Sequence, residues 1–278
     1  MAKGMSLHLG LNGVDPKHYG GWPGTLVACE ADAEDMAAIA TAKKFSVKTL
    51  LTTKANRKSV LAELARAAKT LKAGDTFFFT YSGHGGQLPD KNGDEVDDHQ
   101  DETWCLYDGQ IVDDELYQAY TQFAKGVRIL VLSDSCHSGT AIKMAFYSPP
   151  KTASHAPDEH LQRYRMMPRE VALKTYRQNK DYYDPILSST MSRNAKAQVQ
   201  ASVLLISGCQ DNQLSGDGAF NGVFTGNLLT VWQNGDFTGD YPRFYKAIVR
   251  LMPPEQTPNY FRVGMPDKKF EAGSPFSI

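Results

Sequence analysis

Short apolar runs alternating with stretches of helical periodicity set the strongest limit on what this chain can fold into. The runs fall at residues 6–12, 46–52, 76–81, 127–132 and 202–208, each long enough for one buried strand. Helical spacing fills the intervals. Ala33, Met36, Ala37 and Ala40 share a face within 30–44, and further helices are expected over 57–72, 113–125 and 222–233. Strands that read as apolar runs and are joined through helices predict an α/β fold, with a mainly parallel sheet covered by helices on both faces. The remaining segments are less regular. Residues 141–200 are interrupted by prolines and read as a long insertion with one helix around 159–176, and the proline-rich tail after Pro253 offers an edge strand near 259–263.

Two of the apolar runs end in residues that carry chemistry. One leads into Ser82-Gly-His-Gly-Gly86, the other into Asp134-Ser-Cys-His-Ser-Gly139. Ligands of an open parallel sheet bind outside the C-terminal ends of its strands, so His84 and Cys136 are expected on one edge of the sheet. A thiol is only partly ionised near neutrality, yet its thiolate is strongly nucleophilic, and a nearby imidazole suffices to generate it. The glycines around His84 let backbone approach a substrate, and the peptide N–H groups of Gly85 and Cys136 are the candidate oxyanion donors. His137 competes for the role of base, but adjacent residues point in different directions, which favours His84.

Composition narrows the function classes. The chain has 41% apolar and 22% charged residues and a formal net charge of −1, which gives no global attraction to nucleic acid or anionic membrane. No apolar run approaches the ~20 residues of a membrane span, and the first ten residues lack the apolar core of a secretion signal, so a cytoplasmic protein is expected. The 4 cysteines, Cys29, Cys105, Cys136 and Cys209, show neither metal-site nor disulfide spacing; three of them read as small buried residues.

The two motifs closely resemble the histidine and cysteine motifs of metacaspases, within the caspase clan of cysteine peptidases. Leu26-Val-Ala-Cys-Glu-Ala-Asp-Ala33, Asp101-Glu-Thr-Trp-Cys105, Ile111-Val-Asp-Asp-Glu115 and Ser207-Gly-Cys-Gln-Asp-Asn-Gln213 resemble further elements of that family. The resemblance implies a caspase-hemoglobinase-like three-layer sandwich, a His84/Cys136 dyad, no organic cofactor and cleavage of protein or peptide substrates after Arg or Lys. It implies one peptidase domain over 1–278: a large-subunit-like part (1–140) with the dyad, a basic insertion (141–200) and a small-subunit-like part (201–278). Asp32, Ser82, Asp134 and Asp211 are then the candidate substrate-binding residues, because buried carboxylates beside the nucleophile favour a long cation. The plain alternative for each aspartate is a helix cap or a loop-bracing hydrogen bond. A catalytically silent scaffold or partner-binding module is the competing function, and a monomer is expected.

Charge is patterned locally. Residues 90–115 hold 11 acids against one base, Lys91, an acidic loop that is either solvated or neutralised by a hard cation. The resemblance implies calcium at Asp101, Asp113 and Asp114, whereas Lys143 stands where the family has a further acidic ligand and opposes a cation there. The insertion carries 10 bases against 5 acids. In a peptidase that cuts after basic residues, such a segment is a self-cleavage site, a flap over the cleft or an ordered surface subdomain.

Overall fold

Residues that alternate between two apolar faces build the central sheet of the structure, a computed structural model that describes residues 2–91, 93, 99–135, 164–189, 198–209, 216–218, 220–254 and 256–278. The first half of the chain gives β1 (Gly4–Gly10), α1 (Cys29–Ala42), β2 (Ser46–Leu51), α2 (Arg57–Thr70) and β3 (Thr76–Ser82). Then come β4 (Gly85–Pro89), β5 (Gln100–Leu106), β6 (Gly109–Val112), α3 (Asp113–Thr121) and β7 (Arg128–Asp134). Past the insertion's α4 (Arg169–Gln178) and α5 (Lys180–Ser189) lie β8 (Ser202–Ser207), α6 (Val223–Trp232), α7 (Tyr241–Leu251), β9 (Asn259–Gly264) and α8 (Lys268–Glu271).

The main sheet has the order β2-β1-β3-β7-β8-β9, parallel except for β9, which pairs antiparallel with β8. Side chains of an extended strand point to opposite faces in turn. Leu7, Leu9, Phe77, Phe79, Ile129, Val131 and Val203 therefore join Val60 and Leu64 of α2 and Leu116 and Tyr120 of α3 on one face. Phe78, Leu130, Leu132, Leu204 and Ile206 meet Met36 of α1, Phe224 and Leu228 of α6, and Phe244 and Ile248 of α7 on the other. This is the expected helix–sheet–helix sandwich. No helix among the described residues is long and apolar enough to cross a membrane.

Two departures from the sequence expectations matter for the site. Much of the supposed acidic loop is a small antiparallel sheet, β4-β5-β6, which begins directly after His84 and pairs Gly85 with Trp104. Within the insertion, residues 159–163 of the expected helix lie outside the described residues, 164–168 are extended, and the helix is found over its C-terminal part as α4, followed by α5. These are packed against the body: Tyr183 and Leu187 bury with Leu88 and Val112, and the Tyr183 hydroxyl accepts from the Gln110 N–H at 3.0 Å.

Candidate active site

Strand register brings the two motif segments together. Ser82, the last residue of β3, pairs with Asp134, the last of β7, and the Gly83 N–H donates to the Asp134 carbonyl at 3.4 Å. His84 and Cys136 each follow two residues later in the chain. Cys136, His137, Lys143 and Asp211 lie outside the described residues. Ser135, immediately before the thiol, is fully buried; its Oγ sits 2.9 Å from Ser133 Oγ and its carbonyl accepts from Cys209 Sγ. Cys29, Cys105 and Cys209 are buried, as expected, and burial pushes the Cys29 thiol up to about 12. Such a thiol carries almost no thiolate near neutrality.

His84 is held from both sides. Its carbonyl accepts from the Tyr81 hydroxyl at 2.7 Å and the Cys105 N–H at 2.9 Å, which fixes its backbone to both sheets. Its ring lies against Trp22, and Nε2 faces the Gly24 carbonyl at 3.1 Å. A carbonyl can only accept, so the proton of the neutral ring sits on Nε2 and leaves Nδ1 as the basic nitrogen. Among the described residues Nδ1 has no hydrogen-bond partner, although the main chain of Met166 borders the ring. Burial, with a contribution from Arg165, lowers the pKa of His84 to about 3. The ring is thus neutral near pH 7, with its lone pair on Nδ1.

The acidic residues converge, and their occupant comes from the insertion. Arg165 is completely buried, with Nη2 2.8 Å from Asp32 and 2.9 Å from Asp217, and Nη1 3.0 Å from Asp134. Nη1 also donates to Ser82 Oγ at 2.8 Å, and that hydroxyl donates onward to Asp32 at 2.7 Å. The flanking backbone is equally ordered. The Gly85 N–H donates to the Arg165 carbonyl at 2.9 Å, the Met167 N–H donates to the Gly85 carbonyl at 2.8 Å, and Tyr164 forms an antiparallel bridge to Gly216. Residues 164–167 therefore lie as a short added strand whose arginine fills the acidic pocket.

Each pocket carboxylate is also a structural fastener. Asp32, in the first turn of α1, accepts from the Gly222 N–H at 3.0 Å and the Asn221 amide at 3.0 Å. Asp134 accepts from the Thr225 N–H at 3.0 Å and its hydroxyl at 2.8 Å, capping the start of α6. The two readings of these aspartates, pocket and cap, hold together. Burial pushes the Asp32 carboxyl up, while the Arg165 guanidinium pulls it back. Gly222 is required by close approach: a Cβ there would stand 2.3 Å from an Asp134 oxygen and 2.4 Å from Arg165 Nη1. Arg165, Asp217, Asn221, Gly222, Thr225 and Gly24 were not singled out from the sequence. The signals present were only the basic excess of the insertion and the glycines flanking Asp217.

The implied calcium positions gather at one end of the small sheet, because Thr103 of β5 pairs with Val112, one residue before Asp113. Asp101 and Asp114 are buried. Among the described residues, however, no group of three His, Cys, Asp or Glu side chains converges as a metal site. The fit to calcium is incomplete, and no chemical step is routed through it.

Buried histidines also predict acid sensitivity. His8 is fully buried with Nδ1 2.9 Å from Thr80 Oγ1, and burial lowers its pKa to about 3, as it does for His84. A folded-state pKa below the unfolded value of 6.5 gives stability that is complete above that pH and is lost as the pH falls toward 3. The thermal midpoint is expected to fall steadily as pH is lowered from about 6.5 to about 4, before ordinary carboxylates titrate. Thermal melts of His8→Gln check this: its pH slope over that window is shallower than that of the native chain, whatever its midpoint at neutral pH.

Comparison with known proteins gives the family and agrees with the fold. The family model for the caspase domain (peptidase C14) matches residues 14–270. Metacaspase-1 of Schizosaccharomyces pombe is 32% identical over 196 residues, covering 62% of this chain and 44% of the relative. Metacaspase-1A of Aspergillus oryzae is 43% identical over 99 residues, covering 34% of this chain and 23% of the relative. The chain thus spans less than half the length of these curated relatives. Among solved structures, protein GSU0716 from Geobacter sulfurreducens matches with a TM-score of 0.89 at 57% identity, over 99% of this chain and 98% of that one. Caspase-1 from Spodoptera frugiperda, at 9% identity and a TM-score of 0.54, covers 95% of this chain and 87% of its own; that likeness is of fold alone.

Proposed function

Because the chain belongs to the caspase-domain family, we propose that it is a cysteine endopeptidase that hydrolyses peptide bonds after arginine or lysine. The observation that carries this reading is the chain's own arginine seated among Asp32, Asp134 and Asp217, with its carbonyl on the Gly85 N–H. In a substrate complex the arginine of an incoming peptide takes that place. Cys136 attacks its carbonyl carbon, His84 Nδ1 receives the thiol proton, and the Gly85 N–H stabilises the oxyanion. A donor of this kind is worth roughly 3 to 4 kcal/mol of barrier. His84 then protonates the leaving amine, and water cleaves the thioester.

The pocket supports arginine over lysine. Arg165 uses its planar fork to reach all three carboxylates and Ser82 at once, which a single ammonium cannot reproduce. An aspartyl side chain would face carboxylates of its own sign in a site closed to water. Each such close pair is repulsive by about 4 kcal/mol near a protein surface. Partners on this reading are proteins or peptides with basic residues. Calcium enters only as a regulator of the acidic face around Asp101, Asp113 and Asp114, and rates compared in chelator and in added Ca²⁺ test that role.

Fluorogenic peptides differing only in Arg, Lys or Asp before the scissile bond test the reaction. Hydrolysis is expected for Arg, more slowly for Lys, and not for Asp, with complete loss in Cys136→Ala. Activity that survives Cys136→Ala, or that is confined to Asp peptides, overturns the reading.

A further inference from the structure

We infer that Tyr81 is a positioning residue for the reaction: its hydroxyl sets the backbone of His84 and Gly85, and so places the base and the oxyanion donor as one unit. The inference rests on the peptidase reading above. The chain leaves the main sheet at Ser82 and joins the small sheet at Gly85, so Gly83 and His84 alone make the crossing. Tyr81 Oη stands 2.7 Å from the His84 carbonyl and 3.2 Å from the Cys105 carbonyl of β5. Both oxygens can only accept, so one hydroxyl proton ties the crossing to both sheets. Tyr81 is buried, and burial raises its pKa well above the ordinary phenol value, so that proton stays in place.

Two neighbours are shaped to that hydroxyl. The Tyr81 ring stacks on Trp104, with centroids 4.5 Å apart and 5° between the planes, and Trp104 is the register partner of Gly85. Gly83 leaves the room that the oxygen occupies, since a Cβ there would stand 2.6 Å from Oη and 2.9 Å from Cζ. A tyrosine that merely filled the core would need the stack but no oxygen aimed at the turn.

Backbone and ring of His84 are held by different residues. Trp22 and the Gly24 carbonyl meet the ring, whereas Tyr81 and the Cys105 N–H hold the carbonyl. Loss of the hydroxyl therefore keeps the surroundings that set the pKa of the ring, and lets the ring and the Gly85 N–H drift from their places. The carboxylates that take the arginine stand on other segments, at Asp32, Asp134 and Asp217. The cost thus falls on the transition state, where placement counts most, rather than on substrate binding.

Kinetics of Tyr81→Phe on an arginyl peptide, with pH profiles and circular dichroism on the same samples, test the inference. Phenylalanine keeps the stack, and the His84 carbonyl still accepts from the Cys105 N–H, so the fold is retained. The expected result is a kcat about tenfold lower, the scale of one lost hydrogen bond, with KM within about twofold of the native value and the acid limb of the profile at an unchanged midpoint. Gly83→Ala supplies the second arm. Alone it presses on Oη and lowers kcat; in the Tyr81→Phe background its further effect is smaller, so the two losses do not multiply. An active native chain matched in kcat by Tyr81→Phe overturns the positioning role alone, as do an effect confined to KM, a shifted acid limb or losses that multiply. A native chain without peptide hydrolysis overturns the peptidase reading and this role with it.

Discussion

Asp134→Asn is expected to lower kcat/KM toward arginyl peptides by between about 30-fold and several thousand-fold, since losing one partner of a buried charge pair costs about 2–5 kcal/mol and about 1.4 kcal/mol is tenfold. The substitution preserves shape. Asparagine can still accept from Thr225 through its oxygen, so the cap on α6 is weakened rather than removed. What it cannot do is offer a charge to a guanidinium 3.0 Å away, and its amide group presents hydrogen toward hydrogen. The loss should therefore appear for arginyl and lysyl peptides with little change in the folded signal. Steady-state kinetics with circular dichroism on the same samples check it. A variant that retains full activity on arginyl peptides would mean that Asp134 is only a helix cap.

Arg165→Ala produces the second large effect, on stability. Arg165 has no exposed surface and compensates the carboxylates of Asp32, Asp134 and Asp217. Breaking a buried pair by removing one partner costs about 3–5 kcal/mol, because the remaining charges stay desolvated. Here the lower figure is expected, as Gly222, Asn221, Ser82 and Thr225 continue to donate to the acids. In a chain of this size about 3 kcal/mol corresponds to a thermal midpoint lower by about 5 °C. The deficit shrinks as pH falls. Burial already pushes the Asp32 carboxyl up, and without the guanidinium its folded-state pKa rises further. A carboxyl that holds its proton more tightly when folded gains stability as the pH drops through its folded-state pKa. A free guanidine such as agmatine should enter the vacated pocket and raise the midpoint of this variant more than that of the native chain, by about 2.7 kcal/mol at a hundred times its Kd. Equal shifts in both proteins would mean that the pocket does not take a cation from solution.

The parts of this molecule that were legible in the sequence are those decided locally. Phe77-Phe-Phe79 reads as a strand because both of its faces are covered, and Val60 and Leu64 mark the buried side of a helix whose start is capped by Asn56. The pairing of His84 with the Cys136 segment was equally readable, since each residue follows a strand end at the same offset. The β4-β5-β6 sheet was not. Its central strand buries Asp101 and Thr103 as well as Trp104 and Leu106, so charge disguised a segment whose stability comes from its cross-strand partners. The helix Tyr241–Leu251 went unread although Asp240 caps it, Pro242 lies in its first turn and Tyr241, Phe244 and Ile248 form its buried stripe. Pro185 within α5 obscured that helix. Arg165 could not be distinguished from the nine other bases of the insertion, because its role depends on residues more than 130 positions before it and 52 after it.

Covalent labelling tests the central claim, a thiol set beside a pocket made for a cation, most directly. Two peptidyl chloromethyl ketones that differ only in a terminal arginine or aspartate are incubated with the protein, and the modified residue is located by peptide mass mapping. The account predicts that the arginyl reagent adds to Cys136 alone, leaving Cys29, Cys105 and Cys209 unmodified, and that the aspartyl reagent leaves the protein unlabelled. Equal labelling by both reagents, or arginyl labelling at any residue other than Cys136, would contradict it.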